Sequence, residues 1–138
     1  MDNVIKISRR FMGPPGMGNG GYVAGVLAQN FSESVTVRLH RPVPLERPLT
    51  LHNGDGWHLL EGEMLIATAH AAAFSLALPD LPAFAEVATA VTGYADPGQH
   101  PFPDCFVCGP ARQAQYGLCI FPAPVPGTDL VAAIWQPY

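Results

Sequence analysis

The segment GPPGMGNGGYVAGVLAQNF fills residues 13–31, and the predicted architecture rests on it. Its glycine- and proline-rich loop ends at Asn19, and no charged residue occurs between Met12 and Ser32. Asn19 is a favourable helix N-cap, because its side-chain oxygen can accept a backbone N–H of the first turn. The apolar residues that follow, to about Phe31, leave no polar face, which is typical of a buried helix. The segment therefore predicts a glycine loop that opens a helix enclosed on all sides.

One face of this helix carries only small residues. Gly21, Ala24, Gly25 and Ala28 recur at intervals of three and four, so they lie on the same side. A glycine inside a helix costs about 1 kcal/mol relative to alanine. We therefore expect another part of the protein to pack closely against this face.

Composition narrows the class of protein. A chain of 138 residues forms one domain, with at most a part of a second, and 49% apolar residues against 13% charged residues allow a sizeable core. The net charge of −4 argues against nucleic acid and against an anionic membrane surface as partners, because both need clustered Lys and Arg. No secretory signal and no membrane-spanning apolar run is found in the sequence. Three cysteines without a signal predict reduced thiols in a cytoplasm.

Alternating and turn patterns outline the remaining elements. Residues 34–40 alternate between apolar and polar side chains, which predicts a half-buried strand. Asn53-Gly54 and Glu61-Gly62 are turn signals between apolar runs, so an antiparallel meander is expected there. The other predicted elements are a short strand at 4–8, a short helix at 82–92, a loop at 94–116 and two strand-like runs within 117–138.

Several segments carry a resemblance to a known family. The sequence NGGYVAG, residues 19–25, is similar to the glycine-pair motif that begins the central helix of hotdog acyl-CoA thioesterases. Longer segments resemble bacterial thioesterase-like proteins with two hotdog halves in one chain. These segments are FMGPPGMGNGGYVAG (11–25), LHRPVPLERPL (39–49), LLEGEMLIATA (59–69) and CFVCGPARQAQYGLCIFPAPVPGTDLVAA (105–133).

The resemblance implies an α+β hotdog fold, in which an antiparallel sheet wraps around one long buried helix. Residues 1–80 would form the hotdog core, and residues 81–138 would supply a helix, a loop and additional strands that complete or extend the sheet of a single domain. The chain stops where a second central helix is expected. It is therefore either a fragment of a two-half protein or a single hotdog that pairs with a second copy, as a homodimer or a dimer of dimers.

The resemblance also implies a ligand, an acyl thioester and first of all acyl-CoA. A helix N-terminus offers unpaired N–H groups, and Gly20 and Gly21 carry no Cβ that would block a carbonyl. The N–H groups of Gly21 and Tyr22 would stabilise the oxyanion of thioester hydrolysis. Asn19, Gly21 and Tyr22 are thus the candidate catalytic residues, with Asn19 placed to hold a water. Hydrolysis stays open, because residues 19–31 contain no Asp or Glu.

Further residues are candidates for substrate binding. Gly18, Gly20, Val23 and Val26 would line the carbonyl and acyl-chain positions. Two arginines, Arg38 and Arg41, would meet the phosphates of coenzyme A.

Simpler interpretations stand beside these. The loop can be only a tight entry turn with a helix cap, Tyr22 can be a core or tunnel-wall residue, and the arginines, with Arg47, can solvate an edge strand. The whole chain can equally be a non-catalytic small-ligand-binding or assembly module.

The pair Cys105 and Cys108 has three interpretations. A CxxC can bind zinc, for which His100 and Cys119 are the nearest further ligands, it can cycle as a disulfide, or it can be two small buried residues in a turn. The spacing does not favour zinc, so no metal and no cofactor is expected. The histidines of the strand region show no spacing with an acid that favours catalysis, and the acids there fall at turns. These residues are His40, His52, His58, His70, Asp55, Glu61 and Glu63.

Overall fold

The structure, a computed structural model, describes residues 3–94 and 98–137. The chain divides into two compact units, the first ending at Leu76 and the second beginning at Ala77. Each unit is described by itself.

The first unit is built on a five-stranded antiparallel sheet with one α-helix. Its elements are β1 (Asn3–Lys6), α1 (Gly20–Ala28), β2 (Val35–Leu39), β3 (Pro48–Gly54), β4 (Gly56–Glu61) and β5 (Met64–Ala71), with a 3-10 turn at Arg9–Phe11. The strand order is β1-β3-β4-β5-β2.

Two tight turns make the predicted meander. The β3–β4 hairpin pairs Gly54 with Gly56, and the β4–β5 hairpin pairs Glu61 with Met64. Gly56 has φ +85° and Gly62 has φ +59°, a left-handed conformation that suits glycine. The predicted strands at 4–8 and 34–40 and the two hairpins are confirmed, although the first hairpin turns at Asp55 and not at Asn53-Gly54.

The core of the first unit lies between α1 and one face of the sheet. Apolar side chains at alternate positions of β3 and β4 reach this face, as the period of two along a strand requires. Val23 and Leu27 of α1 pack against them and are fully buried. The other buried members of this cluster are Ile7, Val43, Leu49, Leu51, Leu59, Ile66, Ala67 and Ala69.

The predicted hotdog fold, with a sheet wrapped around one long buried helix, is wrong. The helix α1 has nine residues and ends at Ala28, and the described residues contain only one other α-helix. Only Val23 and Leu27 of α1 are buried, whereas Gly21 and Gly25 are exposed. A Cβ placed on Gly25 would meet no atom within 4 Å.

The physical reason for this error is the size of the side chains. Glycine and alanine offer little apolar area, so leaving them in water costs little. The absence of charged residues from 13–31 therefore indicates a weakly apolar surface and not a buried one. The helix also ends early, because Nδ2 of Asn30 donates to the carbonyl of Leu27 at 3.0 Å.

The second unit contains little regular structure. Its elements are α2 (Phe84–Val91) and two strands of two residues, β6 (Ala123–Pro124) and β7 (Val131–Ala132). These two strands pair with each other in a two-stranded sheet. The helix predicted at 82–92 is confirmed. In neither unit does a described helix have the length and apolarity needed to cross a membrane.

Glu46 ties the 3-10 turn and β1 to the segment that precedes β3. Its Oε1 accepts the backbone N–H of Arg9 at 2.6 Å, and its Oε2 lies 3.1 Å from Nζ of Lys6. The hydrogen bond from Arg9, followed by the contact with Lys6, lowers the pKa of the Glu46 carboxyl. A carboxyl whose pKa is lower in the folded state stabilises the fold above its unfolded pKa, and this contribution disappears as the pH falls through the folded value.

We expect Glu46→Gln to flatten the pH dependence of stability between about pH 5 and about pH 3, where ordinary carboxyl groups titrate. The measurement is urea unfolding at several pH values, followed by the fluorescence of Trp57 in a Trp135→Phe background. Glu63→Gln, an exposed position in the β4–β5 turn, is the matched control. Parallel profiles for Glu46→Gln and the parent protein would contradict the prediction.

Candidate functional site

The N-terminus of α1 is capped by Asn19, as the sequence predicts. Oδ1 of Asn19 accepts the N–H of Tyr22 at 3.0 Å, and its carbonyl accepts the N–H of Val23 at 3.0 Å. The N–H groups of Gly20 and Gly21 donate to no acceptor in the described residues. The two available donors are therefore the N–H groups of Gly20 and Gly21. The N–H of Tyr22, predicted from the sequence as a donor to the thioester oxyanion, is occupied by the cap.

The glycine loop is fixed beside the segment that follows β2. The N–H of Gly18 donates to the carbonyl of Val43 at 2.8 Å, and Met17 forms a β-bridge with Pro44. A Cβ on Gly18 would lie 3.2 Å from Cβ of Val43, so the residue must be small. Gly18 is buried and holds the loop in place.

Apolar side chains border the two available N–H groups. The rings of Phe11 and Tyr22 stack with a centroid distance of 3.6 Å and an interplanar angle of 7°. Cδ1 of Leu39 would lie 3.0 Å from a Cβ on Gly20, so this side chain also borders the start of the helix. Leu39 is 43% exposed. The helix N-terminus is thus bordered by an aromatic stack and by an aliphatic side chain.

The surroundings of this corner carry positive charge. The guanidinium of Arg10 lies 5.7 Å from the ring centroid of Phe11, within cation–π range. Arg41 is exposed and precedes Val43, the residue that holds Gly18. The acid of the same region, Glu46, is already engaged by Lys6 and the backbone of Arg9. Arg10 thus places one cation beside the aromatic side of the corner.

The structure does not bring all of the predicted substrate-binding residues to this corner. Arg38 is paired in register with Thr68, whose neighbours Ala67 and Ala69 are buried in the core. Because side chains alternate along a strand, Arg38 lies on the sheet face opposite to α1.

The other predicted positions differ in what they can reach. Val23 is buried in the core, and Val26 is half-buried on the helix. Nε of Arg47 lies 2.7 Å from Oε1 of Glu61, an ion pair whose N–H is not aligned for a hydrogen bond. Asn19, Gly20, Gly21 and Tyr22 do lie together.

The pairing of the strands places the strand histidines away from α1. His52 and His58 are opposite each other on β3 and β4, with ring centroids 6.4 Å apart, and His58 and His70 are also 6.4 Å apart. Nε2 of His40 is 3.0 Å from Oγ1 of Thr68. Among the described residues, no ion pair joins a carboxylate to His40, His58 or His70.

The second chemical cluster surrounds Cys105 and Cys108. Neither forms a disulfide, and Cys105 is buried. Burial and the neighbouring Cys105 thiol raise the pKa of the Cys108 thiol, and burial together with Cys108 raises the pKa of Tyr94 to about 12. Within residues 3–94 and 98–137, no group of three or more His, Cys, Asp or Glu side chains is arranged to hold a metal ion.

Sequence reasoning missed three residues of the corner: Arg10, Phe11 and Leu39. The pair of arginines before an aromatic residue, SRRF at 8–11, directly precedes the glycine loop and is a usable signal. Leu39 gave no signal, because its exposure depends on where α1 begins along the sheet.

The comparisons with known proteins found no match: no family model, no curated protein and no solved structure matches this chain. Its function is therefore argued from the geometry of the site.

Proposed function

We propose that this chain binds acyl thioesters, with acyl-CoA as the first ligand to test, at the N-terminus of α1. The observation that carries the proposal is the pair of N–H groups of Gly20 and Gly21 without an acceptor in the described residues. A carbonyl oxygen is the acceptor that this pair suits, because the helix terminus adds a partial positive charge to two parallel donors.

The apolar side chains and the positive charges near these donors suit the acyl chain and the phosphates of such a ligand. The aromatic stack of Phe11 and Tyr22 and the exposed part of Leu39 offer apolar surface for an acyl chain. The exposed glycines of α1 let a chain approach the helix backbone without meeting a Cβ. Arg10 and Arg41 supply charge for the phosphates of a carrier.

Hydrolysis is a separate part of the proposal. Polarising a thioester carbonyl is half of the chemistry, and the other half is a base that activates water. The helix carries no carboxylate, and Oδ1 of Asn19 is engaged in the cap. A base would have to come from outside α1, for example from a second copy of the chain.

The sheet leaves room for such a copy. Strands β1 and β2 are the two edges of the sheet, and each has one side without a partner strand in the described residues. Exposed strand edges favour pairing with a further strand. A homodimer or a dimer of dimers is therefore part of the proposal, as is a cytoplasmic location, which the three cysteines without a disulfide favour.

A non-catalytic small-ligand-binding or assembly module is the second candidate. It is favoured by an apolar groove of about 360 Å³ in the second unit, lined by Leu81, Phe84, Val87 and Trp135 among others. Leu81 at its edge is 91% exposed. Exposed apolar surface of this kind is typical of interaction sites.

We expect Gly20→Pro to weaken acyl-CoA binding about fivefold, since one hydrogen bond contributes about 1 kcal/mol. Gly20 is the first residue of α1, and Asn19 before it is extended, so proline fits here and removes one N–H. Gly20→Ala is the matched control, because it adds a Cβ beside Leu39 but keeps the N–H. The measurement is titration calorimetry with acyl-CoAs of several chain lengths, and release of free coenzyme A reports hydrolysis.

Three outcomes decide between the candidates. Weaker binding for Gly20→Pro than for Gly20→Ala supports the site at α1. Equal affinities of the two variants would contradict it. Binding that changes the fluorescence of Trp135 but not of Trp57 places the ligand in the groove of the second unit and supports the second candidate.

A further inference from the structure

The turn that carries Cys105 and Cys108 is closed by backbone contacts. The N–H of Gly109 donates to the carbonyl of Cys105 at 2.9 Å, and the N–H of Cys105 donates to the carbonyl of Phe102 at 3.0 Å. A Cβ on Gly109 would lie 2.4 Å from the nitrogen of Cys105. Cys105 and Cys108 are thus three residues apart in one closed turn, where the first and fourth Cα atoms lie less than about 7 Å apart, a separation that a disulfide can bridge.

A directed chain of hydrogen bonds holds the turn at Cys108. The N–H of Phe102 donates to Nδ1 of His100 at 3.0 Å, so the proton of the neutral ring is on Nε2. Nε2–H then donates to the hydroxyl of Tyr94 at 2.9 Å. The hydroxyl in turn donates to the carbonyl of Cys108 at 2.9 Å. Tyr94 and His100 thus fix the position of Cys108 relative to Cys105.

The surroundings favour a dithiol over a metal site. Both ring nitrogens of His100 are used in this chain of hydrogen bonds, and Cys119 directs its Sγ to the carbonyl of Arg112 at 3.8 Å. Tetrahedral zinc needs four ligands. Among the described residues, no third His, Cys, Asp or Glu is grouped with the two cysteines in an arrangement that could hold a metal ion.

We propose that Cys105 and Cys108 are a reversible redox pair that closes into an intramolecular disulfide by exchange with a low-molecular-weight disulfide. Cys108 is the first thiol to react, because it is half-buried while Cys105 is buried. Cys105 then resolves the mixed disulfide, since it lies in the same closed turn as Cys108.

The exchange is balanced for oxidised glutathione. The Cys108 thiolate attacks one sulfur of the glutathione disulfide, its S–S bond breaks, and one glutathione thiolate leaves. The Cys105 thiolate then attacks the Cys108 sulfur of the mixed disulfide and releases the second glutathione thiolate. Two electrons pass from the protein to glutathione, and the two cysteine protons pass through water to the released thiolates. Burial raises the pKa of the Cys108 thiol, so the first step is slow at neutral pH.

The experiment uses the full chain in buffers of defined ratios of reduced to oxidised glutathione. After an acid quench, remaining thiols are alkylated, and the protein is analysed by mass spectrometry and peptide mapping. We expect a species that has lost two hydrogen atoms, with Cys119 alkylated and Cys105 joined to Cys108. Cys119→Ser is expected to behave like the parent protein, and Cys105→Ser is expected to stop at a glutathione adduct on Cys108.

Several results would overturn the proposal. One is full alkylation of both Cys105 and Cys108 at every glutathione ratio. A second is a disulfide that includes Cys119, or an intermolecular disulfide in place of the internal one. A third is one equivalent of zinc in the purified protein that protects both thiols from alkylation, the protection being lost when the zinc is removed. The proposal is independent of acyl-thioester binding, because it rests only on the second unit.

Discussion

Leu27→Ala is expected to lower the free energy of unfolding of the first unit by about 2–5 kcal/mol. Leu27 is fully buried, and with Val23 it forms the whole buried face of α1. A helix of nine residues is not stable alone in water, so α1 depends on this packing. The loss is a large part of the stability of an ordinary domain. Urea unfolding followed by the fluorescence of Trp57, in a Trp135→Phe background, measures it.

The same helix offers the matched control. Gly25 is exposed, and a Cβ there would meet no atom within 4 Å. Gly25→Ala is therefore expected to stabilise α1 by about 0.5–1 kcal/mol. The two substitutions change stability in opposite directions if α1 packs through one face. Destabilisation by Gly25→Ala, or an unfolding midpoint unchanged by Leu27→Ala, would show that α1 is packed in another way.

Local chemistry made much of the first unit predictable. The hairpins follow from glycines at turn positions, and Gly56 and Gly62 do take positive φ. Asn19 starts the helix through its own side chain, which a sequence reveals directly. These features depend on a few neighbouring residues, so they could be predicted without knowing the tertiary structure.

The burial of α1 could not be predicted in the same way. An apolar segment without charge fits a buried helix, but it also fits a helix that covers one sheet face and exposes glycine and alanine. The difference lies in how many elements pack around the helix, which is a property of the whole fold. The side of the sheet that Arg38 takes is the opposite case, because the alternation of residues 34–40 already places it on the polar face of the strand.

The candidate site was predicted in part. Its centre, Asn19 to Tyr22, is one continuous segment and was found from its glycines. Its walls come from residues distant in sequence, and the stacking of Phe11 on Tyr22 and the position of Leu39 follow from the packing of the loop. The predicted donors are the N–H groups of Gly21 and Tyr22, whereas the available donors in the structure are those of Gly20 and Gly21. The reason is that the cap occupies the N–H of Tyr22.

Gly109→Ala is expected to destabilise the second unit by about 3 kcal/mol or more, at or above the upper end of the cost of an added methyl group in a packed site. The new Cβ would lie 2.4 Å from the carbonyl oxygen of Pro103 and 2.6 Å from that of Cys105. Both are backbone atoms, which cannot turn away as a side chain would. The measurement is the alkylation rate of Cys105, which is buried in the parent protein and becomes accessible when the turn opens.

The control for this substitution is Gly93→Ala. A Cβ on Gly93 would lie 3.6 Å from the carbonyl oxygen of Ala90, an ordinary van der Waals distance, so its effect is expected to be small. The Gly109 variant should also lose the internal disulfide, because the turn that brings the two sulfurs together no longer closes. If Cys105 in Gly109→Ala reacts as slowly as in the parent protein, the turn is not as tight as the structure shows. The redox proposal then loses the geometry on which it rests.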